Sequence, residues 1–328
     1  MKVFSSFTEA YHDLLLDVYE NPDFFSAPRG QKIKEKLGVS FRITNPRDRL
    51  PFVPQRDFSA AYYVAESLWY LSGSDSTTWI SNYSSFWKNI SDDGATANSA
   101  YGSRIFVPHD RIAASVDPQW NQWKYVIDEL SSDPDSRRAV VHIRSPQDSI
   151  LAKKDVPCTL SLQFFLRNDK VHMVTSMRSS DLILGIAYDV PAFTLFQELL
   201  ANELSIVLNK KIGLGDYTHM SNSLHIYEKH FDMVKKILQT KPVQSAEMPQ
   251  MPVEKIPIDN LLSFEESSRA SKSTKELEQL LDNVDVHSYW KDWCYVLASH
   301  RASKLEDASA QKNFLSSTAF GGYYFFNK

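Results

Sequence analysis

PCTLSLQFFLRNDKVHMVTSMRSSDLILGIAYDVPAFTLFQELLANEL, residues 157–204, is the stretch that decides the fold. Residues 160–176 are rich in β-branched and aromatic side chains and turn at Asn168-Asp169-Lys170, which predicts a β-hairpin. Residues 191–208 are apolar nearly throughout and open on Pro191, which predicts a long buried helix starting there. A lone Cys158 stands between a proline and the first strand, so its thiol is expected at a strand edge.

Outward from this stretch, residues 139–144 (AVVHIR) read as another strand. Tyr11, Leu14, Leu15 and Val18 form a helical stripe in an opening helix that Asn21-Pro22 stops. Residues 26–50 read as a basic loop followed by a short strand. Residues 58–72 (FSAAYYVAESLWYLS) read as a buried helix closed by Gly73, with Glu66 out of place among apolar neighbours. Residues 117–130 and 273–305 are helical by pattern. Residues 241–259, which hold four prolines and no period, are extended or loop. Helices and strands mix without regular βαβ alternation, so the expected class is α+β.

The chain has 328 residues, 36 basic against 40 acidic side chains. That length fits roughly two domains or one large one, and needs neither disulfide nor structural metal to bury a core. A pI near 6.1 argues against a general nucleic-acid or membrane-surface binder, because neutralising phosphates needs a basic excess. The two cysteines, Cys158 and Cys294, make neither a disulfide framework nor a metal cluster. The first twenty residues carry acids where a signal peptide has an apolar run, and no stretch of apolar residues could span a bilayer. A cytoplasmic location is the expectation.

A single cysteine is usually a small buried hydrophobe. A nucleophilic thiol needs cations near it, and Arg29, Arg137, Arg138 and Arg178 are candidates. Glu66 in an apolar helix should be desolvated, which raises its pKa toward that of a proton shuttle. Alternatively it is a buried structural carboxylate. His225 and Tyr227, two apart in an extended segment, should point to one side. Cys294, among aromatics, reads as core.

Taken together these residues resemble the thymidylate synthase family across roughly residues 10–270. Pro157-Cys158 is similar to its nucleophile dipeptide, with Gln163 at the matching distance. Arg178-Ser179, Asp181 and Leu184-Gly185 resemble its arginine–serine–aspartate–glycine motif. His225-x-Tyr227 resembles the sugar-binding pair, and Glu66 in AESLWYLSG the catalytic glutamate helix. Pro134-Asp135-Ser136-Arg137-Arg138 resembles the arginine pair that reaches the substrate phosphate across a dimer interface. Arg29 falls where a phosphate-loop arginine would, and Trp87 and Tyr101-Gly102 also match. The resemblance implies a thymidylate synthase-like α+β fold over residues 1–270, a mixed sheet packed with helices and forming a homodimer interface. A helical extension, 271–328, would pack on it. It implies a pyrimidine nucleoside monophosphate as substrate, bound by Arg29, Arg137, Arg138, Gln163, Arg178, Ser179, Asp181, His225 and Tyr227. It implies 5,10-methylenetetrahydrofolate as one-carbon donor near Trp87, Asp181 and Gly185, and no metal.

Three departures redirect the expectation. The uracil-reading asparagine is Asp189 here. A carboxylate facing uracil O4 opposes two acceptors, whereas a carboxyl group can accept from the cytosine amino group and share a proton with N3. Asp at this position resembles the deoxycytidylate hydroxymethylases of the family; the alternative is a cap for the helix at Pro191. The histidine that usually follows the nucleophile is Thr159, and the second folate-contacting tryptophan is Ile90. The short apolar tail is replaced by a charged helical stretch ending in Phe320-Gly321-Gly322-Tyr323-Tyr324-Phe325-Phe326. The implied chemistry is attack of Cys158 on pyrimidine C6, transfer of the one-carbon unit to C5, and addition of water rather than hydride, with Glu66 managing protons. The expected activity is hydroxymethylation of CMP or dCMP. The runners-up are a divergent thymidylate synthase acting on dUMP and a non-catalytic nucleotide-binding relative.

Overall fold

The computed structural model describes residues 1–108, 115–150, 153–240, 246–316 and 318–321. Its centre is a mixed sheet of eight strands: β1 (Lys2–Phe4), β2 (Phe24–Ser26), β3 (Ile33–Ile43), β4 (Val140–His142), β5 (Thr159–Arg167), β6 (Lys170–Met177), β7 (Ser180–Asp181) and β8 (Gly213–Tyr227). The spatial order is β1-β3-β8-β6-β5-β4, with β2 on β3 and β7 on β8. The β5–β6 hairpin forms where the alternation predicts it, and Asn168 and Asp169 take the positive φ its tight turn demands.

Two elements differ from the sequence reading. The expected short strand is the eleven-residue β3, paired antiparallel to β8 along most of its length. Glu35 obscures the alternation, because it shares a side of the strand with Ile33, Phe41 and Ile43, while Lys34 and Lys36 stand on the other side. Helix α1 (Phe7–Glu20) lies over this strand. Lys34 Nζ donates to the Tyr19 carbonyl at 2.5 Å, and Lys36 pairs with Asp17 at 3.0 Å. The long helix spans Ile186–Val207 and therefore begins five residues before Pro191. A proline near a helix start lacks only the N–H that would reach back four residues, here to Ala187, so its cost is small. The consequence matters: Asp189 lies inside the first turn, and the residue before the helix is Gly185, which makes no side-chain cap. Capping the helix is not what Asp189 does.

The long helix is buried over most of its length and packs on β6 and β8. Helix α2 (Ala60–Leu71) lies beside it and buries Tyr63 through Tyr70. Helices Ile258–Ala270, Thr274–Asn283, Ser288–Lys304 and Ala308–Ser316 follow. Ser288–Lys304 packs against α2 with Trp290, Trp293 and Cys294 fully inside. No helix among the described residues is long and apolar enough to cross a membrane.

One buried ion pair ties these layers together. Arg49 Nη2 donates to Glu198 Oε2, with side-chain exposures of 1% and 5%. Glu198 Oε1 also accepts from Met251 N at 2.9 Å, and Arg49 Nε donates to the Pro46 carbonyl. Removing one partner strands a buried charge, which costs about 3–5 kcal/mol, whereas removing both leaves an apolar pocket. Arg49→Met should therefore lower the urea unfolding free energy by about that amount, and adding Glu198→Met should recover most of it. Equal loss in the single and double variants would contradict this.

Candidate active site

The β5–β6 hairpin brings Cys158 and Arg178 side by side, because Thr159 pairs with Met177 across it. Arg178 N donates to the Cys158 carbonyl at 2.8 Å. Its guanidinium donates to the Pro157 and Val156 carbonyls at 2.9 and 2.8 Å, and Nη2 stands 3.5 Å from Cys158 Sγ. The segment before the thiol is pinned by Asp155, which accepts from Ser99 N at 2.8 Å.

Expecting cations to make this thiol unusually acidic needs correction. Burial pushes the Cys158 pKa above its ordinary value; Arg178 and Arg29 pull it down, while Asp189 and Asp155 oppose them. Desolvation wins within one chain. Arg29 sits in the exposed turn between β2 and β3 with φ of 52°, a left-handed conformation rare for arginine. Arg137 and Arg138 lie on the exposed approach to β4. Arg138 pairs with Glu129 at 2.8 Å, and Gln163 donates to the Arg137 carbonyl at 2.9 Å. Of the four arginines, Arg178 and Arg29 are thus the two that act on the thiol within one chain.

β8 carries His225 and Tyr227 on one side, their rings edge-to-face at 5.1 Å. His225 is buried, and its Nδ1 has no hydrogen-bond partner. Asp181 pairs with His225 through β7 and β8. Its carboxylate also accepts from Ile183 N at 2.8 Å and Leu184 N at 3.3 Å, an Asx turn that leads into Gly185. A Cβ on Gly185 would come within 3.2 Å of Asp189 Oδ2, so glycine leaves room for that carboxyl. Ser179 is half-buried between Arg178 and Ser180.

Two carboxyls complete the pocket. Burial, reinforced by the Asp181 charge, pushes the Asp189 pKa up to about 7. Burial raises Glu66 to about 8; a hydrogen bond from Tyr62 pulls it down, and the Asp189 charge adds to the rise. Glu66 is 5% exposed. Tyr101 feels both Asp189 and Cys158, so the three surround common space. Tyr101 is held by stacking on Tyr70 at 5.4 Å. That approach requires Gly102, because a Cβ there would lie 2.0 Å from the Tyr70 carbonyl oxygen.

Two residues escaped the sequence reading. Tyr62 donates to Glu66 Oε1 at 2.5 Å and receives the Trp87 indole N–H at 3.0 Å. Its i,i+4 spacing to Glu66 was the available signal. Arg56 is buried, lies 4.9 Å from the Tyr188 ring centroid and donates to the Ile183 carbonyl at 2.6 Å. It forms no ion pair among the described residues, and its Nε is without a hydrogen-bond partner. No local pattern announced it. Phe320 is buried against Tyr63, with ring centroids 6.1 Å apart; Gly322 to Phe326 of the expected aromatic tail lie outside the described residues.

The thymidylate synthase family pattern matches residues 9–270. Among curated relatives, a deoxyuridylate hydroxymethyltransferase of Bacillus phage SP01 is 32% identical over 283 residues, covering 84% of this chain and 70% of that protein. A deoxyuridylate hydroxymethyltransferase of Delftia phage PhiW-14 is 32% identical over 219 residues, covering 62% of this chain and 56% of that protein.

Proposed function

From the premise that the chain belongs to the thymidylate synthase family, we propose that it hydroxymethylates C5 of a cytosine nucleoside monophosphate, CMP or dCMP. The observation that carries this is Asp189: a carboxyl in the first helical turn, raised to about 7 by burial and the Asp181 charge. A neutral carboxyl accepts from the cytosine amino group and donates to N3. Cytosine N3 is a better base than uracil O4, so the shared proton is held more firmly in the cytosine complex.

Methylenetetrahydrofolate, the family's donor, supplies the one-carbon unit. The residues present fit it: Trp87 offers a buried indole wall, and Arg56 a buried cation with an unpartnered Nε. Gly185 and Asp181 shape the adjoining turn. Cys158 attacks pyrimidine C6, and the displaced electron pair makes C5 nucleophilic. Glu66, with its raised pKa, would take the C5 proton as the bond between the transferred carbon and the folate nitrogen breaks, returning a proton to that leaving nitrogen, and would order the water that then adds to the carbon on C5. Expulsion of the thiolate restores the ring. His225, with its orphaned Nδ1, and Tyr227 hold the sugar. Arg29, Arg178 and Ser179 take the phosphate. Arg137 and Arg138, their segment braced by Gln163, serve the phosphate of the second protomer in a homodimer built on the sheet. Residues 1–270 make the catalytic domain and 271–328 a helical extension that braces α2.

A second substrate reading has its own support, since both relatives are named for deoxyuridylate. A neutral Asp189 can present its hydroxyl to O4 and its carbonyl to N3–H. Incubation with CMP, dCMP, UMP or dUMP plus methylenetetrahydrofolate, read by mass spectrometry, separates the readings. Hydroxymethyl gain on a cytosine nucleotide is expected. Hydroxymethyl gain on dUMP alone would favour the second reading. Methylation of dUMP alone would make the chain a divergent thymidylate synthase. Binding without turnover would make it a non-catalytic relative.

A further inference from the structure

A tyrosine hydroxyl can donate or accept, and its direction is normally undetermined. Here the surrounding groups fix it. Indole Nε1–H is a donor only. Trp87 Nε1 lies 3.0 Å from the Tyr62 oxygen, so that oxygen accepts. The single Tyr62 hydroxyl hydrogen is left to point at Glu66 Oε1, 2.5 Å away. Burial and the Glu66 charge hold the Tyr62 pKa well above its ordinary value, so the hydroxyl keeps its proton throughout the working range. The ring is held edge-on against Tyr188 at 4.7 Å, one residue from Asp189.

We propose that Tyr62 is a positioning residue for the one-carbon transfer: the relay Trp87→Tyr62→Glu66 occupies Oε1 of the catalytic carboxyl and leaves Oε2 as the oxygen that takes and returns protons. The assignment rests on Glu66 being the proton-handling group of the proposed reaction. It supplies what a symmetric carboxylate lacks, a single defined site for the proton. It also opposes the burial that raises Glu66, because a hydrogen bond donated to the charged form stabilises that form. Among the other groups acting on Glu66, Asp189 on the long helix raises it, and Tyr70 on α2 lowers it through a hydrogen bond weaker in effect than that of Tyr62. Tyr101, on helix Tyr101–Phe106, and Tyr188 adjoin Tyr70 and Tyr62. None of these is cationic, so the Tyr62 hydroxyl is the principal group favouring ionised Glu66.

Tyr62→Phe keeps the ring and deletes only the hydroxyl. The protonated-carboxyl infrared band of Glu66, assigned by subtracting the Glu66→Gln spectrum, is titrated in wild type and variant. The expected midpoint in Tyr62→Phe is higher by about one to two pH units, the size of a hydrogen bond to a charged group. Tyr62→Phe/Trp87→Phe, which leaves no stranded indole N–H, should show the same shift. An unchanged midpoint in both variants overturns the proposal even if turnover falls. The band needs no substrate, so a wild type that hydroxymethylates no cytosine nucleotide sinks the proposed function and leaves this result standing.

Discussion

Asp189→Asn is expected to transfer the preference of the protein from cytosine to uracil nucleotides. Held in the orientation that donates to O4 and accepts from N3–H, the amide places donor against donor and acceptor against acceptor opposite cytosine. Both mismatches are buried, so the swing in the ratio of kcat/KM values should be on the order of 10^3 to 10^4. The variant should also lose one limb of the pH profile. In wild type, the carboxyl is neutral below about 7 and charged above it. The hydrogen bond to N3 therefore fades as pH rises through that value, and KM for the cytosine nucleotide climbs. An amide has no proton to lose, so the variant keeps only the limb near 8 that belongs to Glu66. Parallel kinetics on CMP, dCMP, UMP and dUMP between pH 5 and 9 would measure both effects. No change in the cytosine-to-uracil ratio would remove Asp189 from base recognition.

Cys158→Ser should abolish turnover, by on the order of 10^4-fold or more, while nucleotide affinity by calorimetry changes only a few-fold. The surroundings of this sulfur explain the severity. Burial already pushes the thiol pKa up despite Arg178 and Arg29. A hydroxyl, far less acidic from the start, has no route to an anion in the same place. The loss should appear in kcat rather than KM, because the proposed substrate-holding residues Arg29, Arg178, His225 and Tyr227 are left in place. Full activity in the serine variant would exclude covalent addition to C6.

Much of this site was legible in the chain because it is built from short-range pattern. Pro157-Cys158 at a strand edge, Glu66 inside an apolar helix, and His225 and Tyr227 two apart on a strand are local facts, and the β5–β6 hairpin follows from alternation and turn chemistry. The eleven residues of β3 were not legible, since Glu35 interrupts the apolar alternation of Ile33, Leu37, Val39, Phe41 and Ile43, and its partners Ser26 and Ser223 come from the neighbouring strands. Nor was the start of the long helix, where Pro191 marks a plausible first residue but the structure continues back to Ile186.

The sequence by itself determined the family and singled out Cys158 as the candidate nucleophile and Asp189 as the atypical residue, because each depends on which residue type stands at which spacing. Only the tertiary structure decided how those groups are tuned. Asp189 belongs to the first turn and not to a cap. The Cys158 thiol is raised rather than lowered within one chain. The Glu66 carboxyl is tied through Tyr62 to Trp87. The reason is that desolvation and hydrogen-bond direction are set by neighbours brought from other elements, and no window along the chain contains them.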